Sequence, residues 1–397
     1  MNQAKSSYKC YLVCIFVAFG AIGTTAGATL PMVIRSFEWS YLAAGWLFAA
    51  SAACYLAASW ASGGWIPKLG LRRMLVVGLC LQGLGMGAFG RFSDLSWNLI
   101  CFGILGLGQG MVEVSTNVGV VEVECDGQSR LMNMVHSGFT VGAILAPFVV
   151  GWIAATGMPW QQIYLALAFV ACIMAIWTVF QPGLSPAQRA VARGEDDHLP
   201  TMKRKEKSLL ILLCWTIFLY VGAEIGVSNW LAEYFVQHHQ ASTTFGANAV
   251  AVFWLGIFLG RLLLGLGWGK GDAHALLKGF SVVGSIFLML ALLASSAWVA
   301  LCLFWVSGLG FSIVYPCVMS LAGHVFPHDQ SRVVAWISAS GGLGVWLFPL
   351  LMSMISQHWD IQAGFWFYTS LSFLMLVAVF AAGRLPIQVP EESLGSP

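Results

Sequence analysis

The chain has 397 residues, of which 58% are hydrophobic and 9% charged, against roughly 25% charged in soluble domains. With a mean hydropathy of +0.79 it cannot solvate the surface of a water-soluble enzyme, and its natural solvent is lipid. A net charge of +2, with nineteen basic residues in short clusters between apolar runs, excludes a nucleic-acid-binding face.

A helix needs about 20 apolar residues to cross a bilayer. Such runs fall near residues 10–33, 41–62, 74–92, 97–120, 132–156 and 160–180. After a polar stretch they resume near 208–236, 246–266, 276–294, 297–323, 332–356 and 363–383. Each must be helical, because hydrocarbon leaves the backbone of an open strand unsatisfied. The expected fold is an all-α membrane protein with twelve transmembrane helices. Residues 1–181 form an N-terminal six-helix half, 182–207 a cytoplasmic linker and 208–397 a C-terminal six-helix half. The first run shows no cleavage signature and is expected to stay as a span.

Lys5, Lys9, Lys68, Arg72, Arg73, Arg130, the cluster from Arg189 to Lys207, Lys270, Lys278, Arg332 and Arg384 fall on the side of the termini. Arg35 and Arg91 fall on the other. The positive-inside rule then places both termini and the linker in the cytoplasm, and a bacterial inner (plasma) membrane is the expected location. Ten cysteines, most of them within apolar runs, show neither metal-ligand spacing nor a secreted framework. Neither a phosphate loop nor a nucleophile constellation is evident, so no enzyme activity, metal or cofactor is expected.

A fixed offset runs through the chain. Gly63 and Gly265, Lys68 and Lys270, Gly106 and Gly308, Gly142 and Gly344, and Pro147 and Pro349 are each 202 positions apart. Such self-similarity predicts two parallel six-helix repeats that rock about a midplane site.

With these features the chain resembles the major facilitator superfamily over its whole length. The segment Gly63-Gly64-Trp65-Ile66-Pro67-Lys68-Leu69-Gly70-Leu71-Arg72-Arg73, read as the loop after the second span, looks like the signature Gly-x-x-x-Asp-Arg-x-Gly-x-x-Arg, with Pro67 at the acidic position. The resemblance implies a gating role for Gly63, Lys68, Gly70, Arg72 and Arg73. A weaker copy follows at Gly265 to Gly271. Within the superfamily, Gly106 to Asn117, Tyr220 to Glu224 with Trp230 and Tyr234, and Phe253 to Arg261 are similar to the fucose permease and glucose-transporter-like group. That similarity implies proton-coupled sugar transport involving Glu113. The group's first-span aspartate has no counterpart here, and its fifth-span asparagine corresponds to Phe139.

The residues themselves supply candidates. Glu113 and Asn117 share a helix face, which Gly106 and Gly110 continue as a small-residue groove suited to close helix approach. An ionised carboxylate at membrane depth costs at least about 2.5 to 3.5 kcal/mol, so an intramembrane acid sits in a cavity, pairs, or takes a proton. Glu113 and Glu224 are therefore candidate proton-coupling residues, with Tyr220 and Ser228 on the face of Glu224. His136 is a candidate relay, or else a packed neutral imidazole. Arg261 is expected to reach the cytoplasmic interface. His238, His239, His324 and His328 lie near loops and are expected to be solvated. Trp46, Trp97, Trp160, Trp215 and Trp298 fit an interfacial belt. Trp230, Trp254, Tyr234, Tyr315 and Trp336 offer flat faces to a sugar ring, and Gln109, Asn117, Tyr220 and Asn229 offer polar groups to its hydroxyls.

The expected function is a secondary active transporter working by alternating access, coupled to protons and importing a sugar or similar polar solute. Its partners would be a small-molecule substrate, protons and membrane lipid, and it would act as a monomer. A proton-coupled exporter of drugs or metabolites is the second transport reading. A non-transporting solute sensor is the reading from another class.

Overall fold

A computed structural model of the chain describes residues 2–123, 130–181, 204–265, 273–326 and 330–385. These residues form helices α1 (Asn2–Phe37), α2 (Tyr41–Leu69), α3 (Leu71–Ala88), α4 (Leu95–Val123), α5 (Arg130–Thr156) and α6 (Gln161–Val179). There follow α7 (Arg204–His238), α8 (Thr243–Gly265), α9 (Ala273–Leu293), α10 (Ala297–Phe311), α11 (Val314–Val325), α12 (Gln330–His358) and α13 (Ile361–Ala382). Among the described residues, eleven stretches are long and apolar enough to cross a membrane, and α10 with α11 forms one of them, Ala297–Gly323. The remaining helix, α3, has 18 residues and opens on Arg72 and Arg73, which completes the twelve spans. The linker residues 182–203, Lys270 with most of the second signature copy, His328 and the His324 side chain lie outside the described residues.

Local chemistry sets the helix ends. Ser40 caps α2 by accepting from the Ala43 amide at 3.1 Å, and Asp360 caps α13 through Ala363 at 2.7 Å. Between α3 and α4, Asn98 accepts from the Gly90 amide at 2.9 Å and donates to the carbonyls of Phe92 and Asp94. These bonds satisfy groups that the helix ends leave open. The span of α10 and α11 breaks at Ser312–Ile313, just ahead of Pro316, which has no amide to donate to the ladder. Pro147 and Pro349, by contrast, lie inside unbroken helices.

One expectation is corrected. Gly63 to Leu69 do not form a loop but the last two turns of α2, and Gly70 alone turns the chain, with φ 80°. That backbone region is open to glycine at little steric cost. Pro67 is tolerated inside the last turns of the helix, where it costs one ladder bond.

The chain divides into two compact units: Met1–Glu195 with Asn229–Ala251, and Asp196–Ser228 with Val252–Pro397. In the first, α1 packs on α5, α2 on α4, and α3 on α4 and α6. In the second, α9 packs on α10 and α13, and α12 on α13. The repeat is visible as contacts. A methyl added to Gly106 would overlap the Ser51 carbonyl, and one added to Gly308 would overlap the Phe253 carbonyl. Both glycine and carbonyl are displaced by the same 202 positions. Each half thus uses the same small residue to bring its second and fourth spans together. Large apolar side chains such as Trp60 (88% exposed) and Val377 (66%) remain uncovered by protein, as a lipid-facing surface requires.

Candidate functional site

In the first unit, α4 carries Glu113 and α2 carries Tyr55. The Tyr55 hydroxyl donates to a Glu113 carboxylate oxygen at 2.5 Å, the one hydrogen bond of that carboxylate among the described residues. Close contact of α2 and α4 makes it possible. A methyl on Gly110, one turn before Glu113, would meet the Tyr55 carbonyl and the backbone of Ser59. The buried amide oxygen of Asn117, one turn after Glu113, and the buried Ser59 hydroxyl have no hydrogen-bond partner among the described residues. Gln109 is half-buried on the same helix. Buried polar atoms without partners are uncommon in native folds, so this α2–α4 face holds unused hydrogen-bonding capacity beside a carboxylate. His136 on α5 meets the Phe16 ring edge-on at 5.1 Å between centroids.

In the second unit, Tyr220 donates to Glu224 at 2.5 Å, within one turn of α7. Arg261 of α8, expected to reach the cytoplasmic interface, is half-buried four residues before the end of its helix. Its Nε donates to the Ser312 carbonyl at 3.3 Å, at the break between α10 and α11, and the guanidinium also hydrogen-bonds the Tyr220 hydroxyl and acts on Glu224 through its charge. The freed carbonyl at the break and a buried acid hold the cation inside the bundle. The two deep acids therefore differ in kind: Glu224 has a cation near it, whereas Glu113 is met by a neutral hydroxyl. Trp254 donates to Ser228 at 2.8 Å, and the Tyr315 and Ser338 hydroxyls are 3.2 Å apart. Tyr315 stands at the repeat position of Glu113, 202 residues on. Trp336 is 41% exposed, so its ring is not enclosed within the unit.

Trp230 and Tyr234 pack in the part of α7 that belongs to the first unit. Trp230 is fully buried, with Tyr41 at 5.7 Å and Phe48 at 6.1 Å between centroids. Asn229, at 7% exposure, adjoins it. His238 and His239 are half-buried rather than solvated, and they stack on Tyr234 and Phe235 respectively. Trp160 is likewise buried instead of interfacial, and its ring nitrogen donates to Ser36 at 2.9 Å. Of the signature residues, Lys68 and Arg73 are exposed, while Arg72 donates to the Gln181 carbonyl at 2.7 Å. That bond anchors the start of α3 to the end of α6.

Sequence reasoning missed Glu233. It is 1% exposed on α7, accepts from the Tyr41 hydroxyl at 3.4 Å, and leaves its second carboxylate oxygen without a hydrogen-bond partner among the described residues. Its place near the end of α7 gave no signal in the sequence, since its burial comes from the packing of Tyr41 of α2 against it and against Trp230.

Comparison with known proteins places this arrangement in context. A glucose/galactose transporter from Brucella abortus is 25% identical, over 96% of this chain and 95% of its own length. A protein from Bacillus subtilis named multidrug resistance protein 1 is 21% identical over 97% and 98%. Among solved structures, a bacterial homologue of the human lysosomal transporter Spinster aligns with a TM-score of 0.79 at 13% identity, covering 97% of this chain and 98% of that one. A D-xylose-proton symporter aligns with a TM-score of 0.77 at 16% identity, covering 98% and 99%. The family model of the Major Facilitator Superfamily matches residues 11–329 and 271–396. On this match and on its twelve-span fold, the chain belongs to the Major Facilitator Superfamily and is an integral membrane transporter, not an enzyme.

Proposed function

We propose that this transporter takes up a sugar or similarly hydroxylated small solute together with a proton across a bacterial inner membrane. Both termini and the linker 182–207 would face the cytoplasm, and residues 1–181 and 208–397 would be the two rocking halves. The observation that carries the reading is Glu113, an acid at membrane depth met by the hydroxyl of Tyr55 and, among the described residues, by no cation. A carboxylate so placed is costly to leave charged, and a proton neutralises it. Protonation and release then alternate with exposure of the site to either side. Gln109, Asn117 and Tyr55 offer donors and acceptors to solute hydroxyls, and on the second unit Tyr220, Trp254, Tyr315 and Trp336 offer a hydroxyl or an aromatic face. Glu224 stays paired with Arg261 and positions Tyr220, while His136 serves as an auxiliary proton group. The relative named as a glucose/galactose transporter supports the solute class.

A thermal-shift screen of the purified protein against sugars, followed by flux in proteoliposomes, tests this reading. At least one sugar should stabilise the protein and accumulate only under an inward proton gradient, up to about tenfold per pH unit for one coupled proton. Binding without flux would instead make the protein a sensor. The second reading, export of an amphipathic cation, is favoured by the relative named multidrug resistance protein 1. Stabilisation by cations and by no sugar would establish it in place of the first.

A further inference from the structure

Residues 229–251, the end of α7 and the start of α8, form one compact unit with α1 to α6. Several packing contacts hold this tip. Trp230 is wedged against Tyr41 and Phe48 of α2. Gly151 of α5 lies so close to Asn248 of α8 that a methyl there would overlap the Asn248 amide oxygen. Arg35 of α1 reaches the Thr243 hydroxyl at 3.5 Å. Glu233 is buried within this packing. The Tyr41 hydroxyl meets one of its oxygens, and the other has no hydrogen-bond partner among the described residues. The Gln237 side chain one turn on also hydrogen-bonds the carboxylate and Arg35 acts on it through charge, but Arg35 is exposed and spends its hydrogen bond on Thr243 instead of closing on the acid.

A charged carboxylate that keeps an unmet oxygen and no cation closing on it is costly to bury even with neutral donors beside it. A carboxylic acid, which carries no charge and needs fewer donors around it because one oxygen now bears its own proton, buries far more cheaply. When the tip is packed, therefore, a proton on Glu233 removes most of the cost. When the tip separates and water reaches the acid, the proton leaves to that water.

We propose that Glu233 is a proton-linked latch: it holds a proton while residues 229–251 are packed on α1, α2 and α5, and releases it to solvent as this end of the protein opens. The proposal rests on the reading of the chain as an alternating-access carrier, in which this end must open once in each cycle. Under the proposed orientation it faces the outside. The latch gives external acidity a second handle on transport besides Glu113, by favouring closure at this end once solute and proton are loaded.

The titratable neighbours at this end are Arg35 of α1, Tyr41 of α2, and His238 and His239 at the end of α7. Burial first, and then the adjacent His238, hold the His239 imidazole below its ordinary value. Its charging in acid therefore works against packing, opposite in sign to Glu233. Replacing both histidines separates the two effects.

The test is hydrogen–deuterium exchange of the full-length protein in nanodiscs, between pH 5 and 8, corrected for intrinsic rates. It uses neither substrate nor gradient, so it stands or falls independently of the transport reading. In an H238Q/H239Q background, protection of residues 229–251 should fall as pH rises, by up to about tenfold per pH unit, the slope for one linked proton. Adding Glu233→Gln, which is neutral and nearly isosteric, should keep protection high and flat with pH. Adding Glu233→Asp should restore a pH-dependent fall. The latch is overturned if Glu233→Gln leaves the slope intact, if that variant loses protection at every pH, or if the histidine-free protein shows no slope.

Discussion

Arg261→Met is the perturbation that most sharply probes the division of labour between the two deep acids. Arg261 hydrogen-bonds Tyr220, which in turn donates to Glu224, and Glu224 is only 5% exposed. Removing the cation leaves a buried acid with one hydroxyl for company among the described residues, and losing the charge that compensates a buried acid costs up to about 3–5 kcal/mol. Glu224→Gln is milder. The amide still accepts from Tyr220, and half-buried Arg261 keeps the Ser312 carbonyl at 3.3 Å, so the loss should stay near the ~1.5 kcal/mol of an ordinary hydrogen bond. The double variant removes both charges and should recover about 1–3 kcal/mol relative to the sum of the singles. Reversible unfolding in mixed micelles reads all three, with Lys68→Met at an exposed signature position as the reference. If Arg261→Met is no more destabilising than Lys68→Met, or if the two substitutions simply add, Arg261 does not compensate Glu224 and the contrast with Glu113 disappears.

Further outcomes follow from the same geometry. Gly106→Ala and Gly308→Ala should each cost about 1–3 kcal/mol by overpacking, whereas Gly63→Ala, which meets nothing within 4 Å, should be neutral or slightly stabilising. Equal effects at the three positions in a melting assay would argue against the repeated helix contact. Glu113→Gln should fold with stability within about 1.5 kcal/mol of the parent, since Tyr55 keeps an acceptor. It should still exchange labelled solute for unlabelled, and a loss of binding together with stability would make Glu113 structural. Trp254→Phe should cost about 1 kcal/mol by leaving the Ser228 hydroxyl without its donor, read in the same unfolding assay. A larger effect on solute binding than on stability would place the indole at the solute.

Much of the architecture was legible because lipid enforces it. The spans follow from apolar length, and the offset of 202 reflects contacts, as at Gly106 and Gly308, that admit only a glycine in either half. The break after α2 was misplaced because Pro67 and two glycines in a row resemble a turn, while the actual turn needs only the single positive φ of Gly70. Tertiary partners were out of reach. Arg261 is 37 positions from Glu224 in the chain, and nothing in its apolar surroundings announces that Tyr220 and the Ser312 carbonyl will receive it. His239 and Trp160 were read as solvated or interfacial from their nearness to loops, yet stacking on Phe235 and packing with Phe89 draw them inward. Glu233 escaped notice because it lies near the end of a 35-residue helix, where an acid ordinarily meets water. Only the packing of Tyr41 and Trp230 shows that it is buried.

Solute-driven proton movement tests the central claim most directly. Weakly buffered proteoliposomes without any gradient are given the stabilising sugar, and the external pH is followed. The account predicts alkalinisation outside in step with solute entry, abolished by Glu113→Gln although solute exchange persists. Solute entry without proton movement, or an unchanged signal in Glu113→Gln, would contradict it.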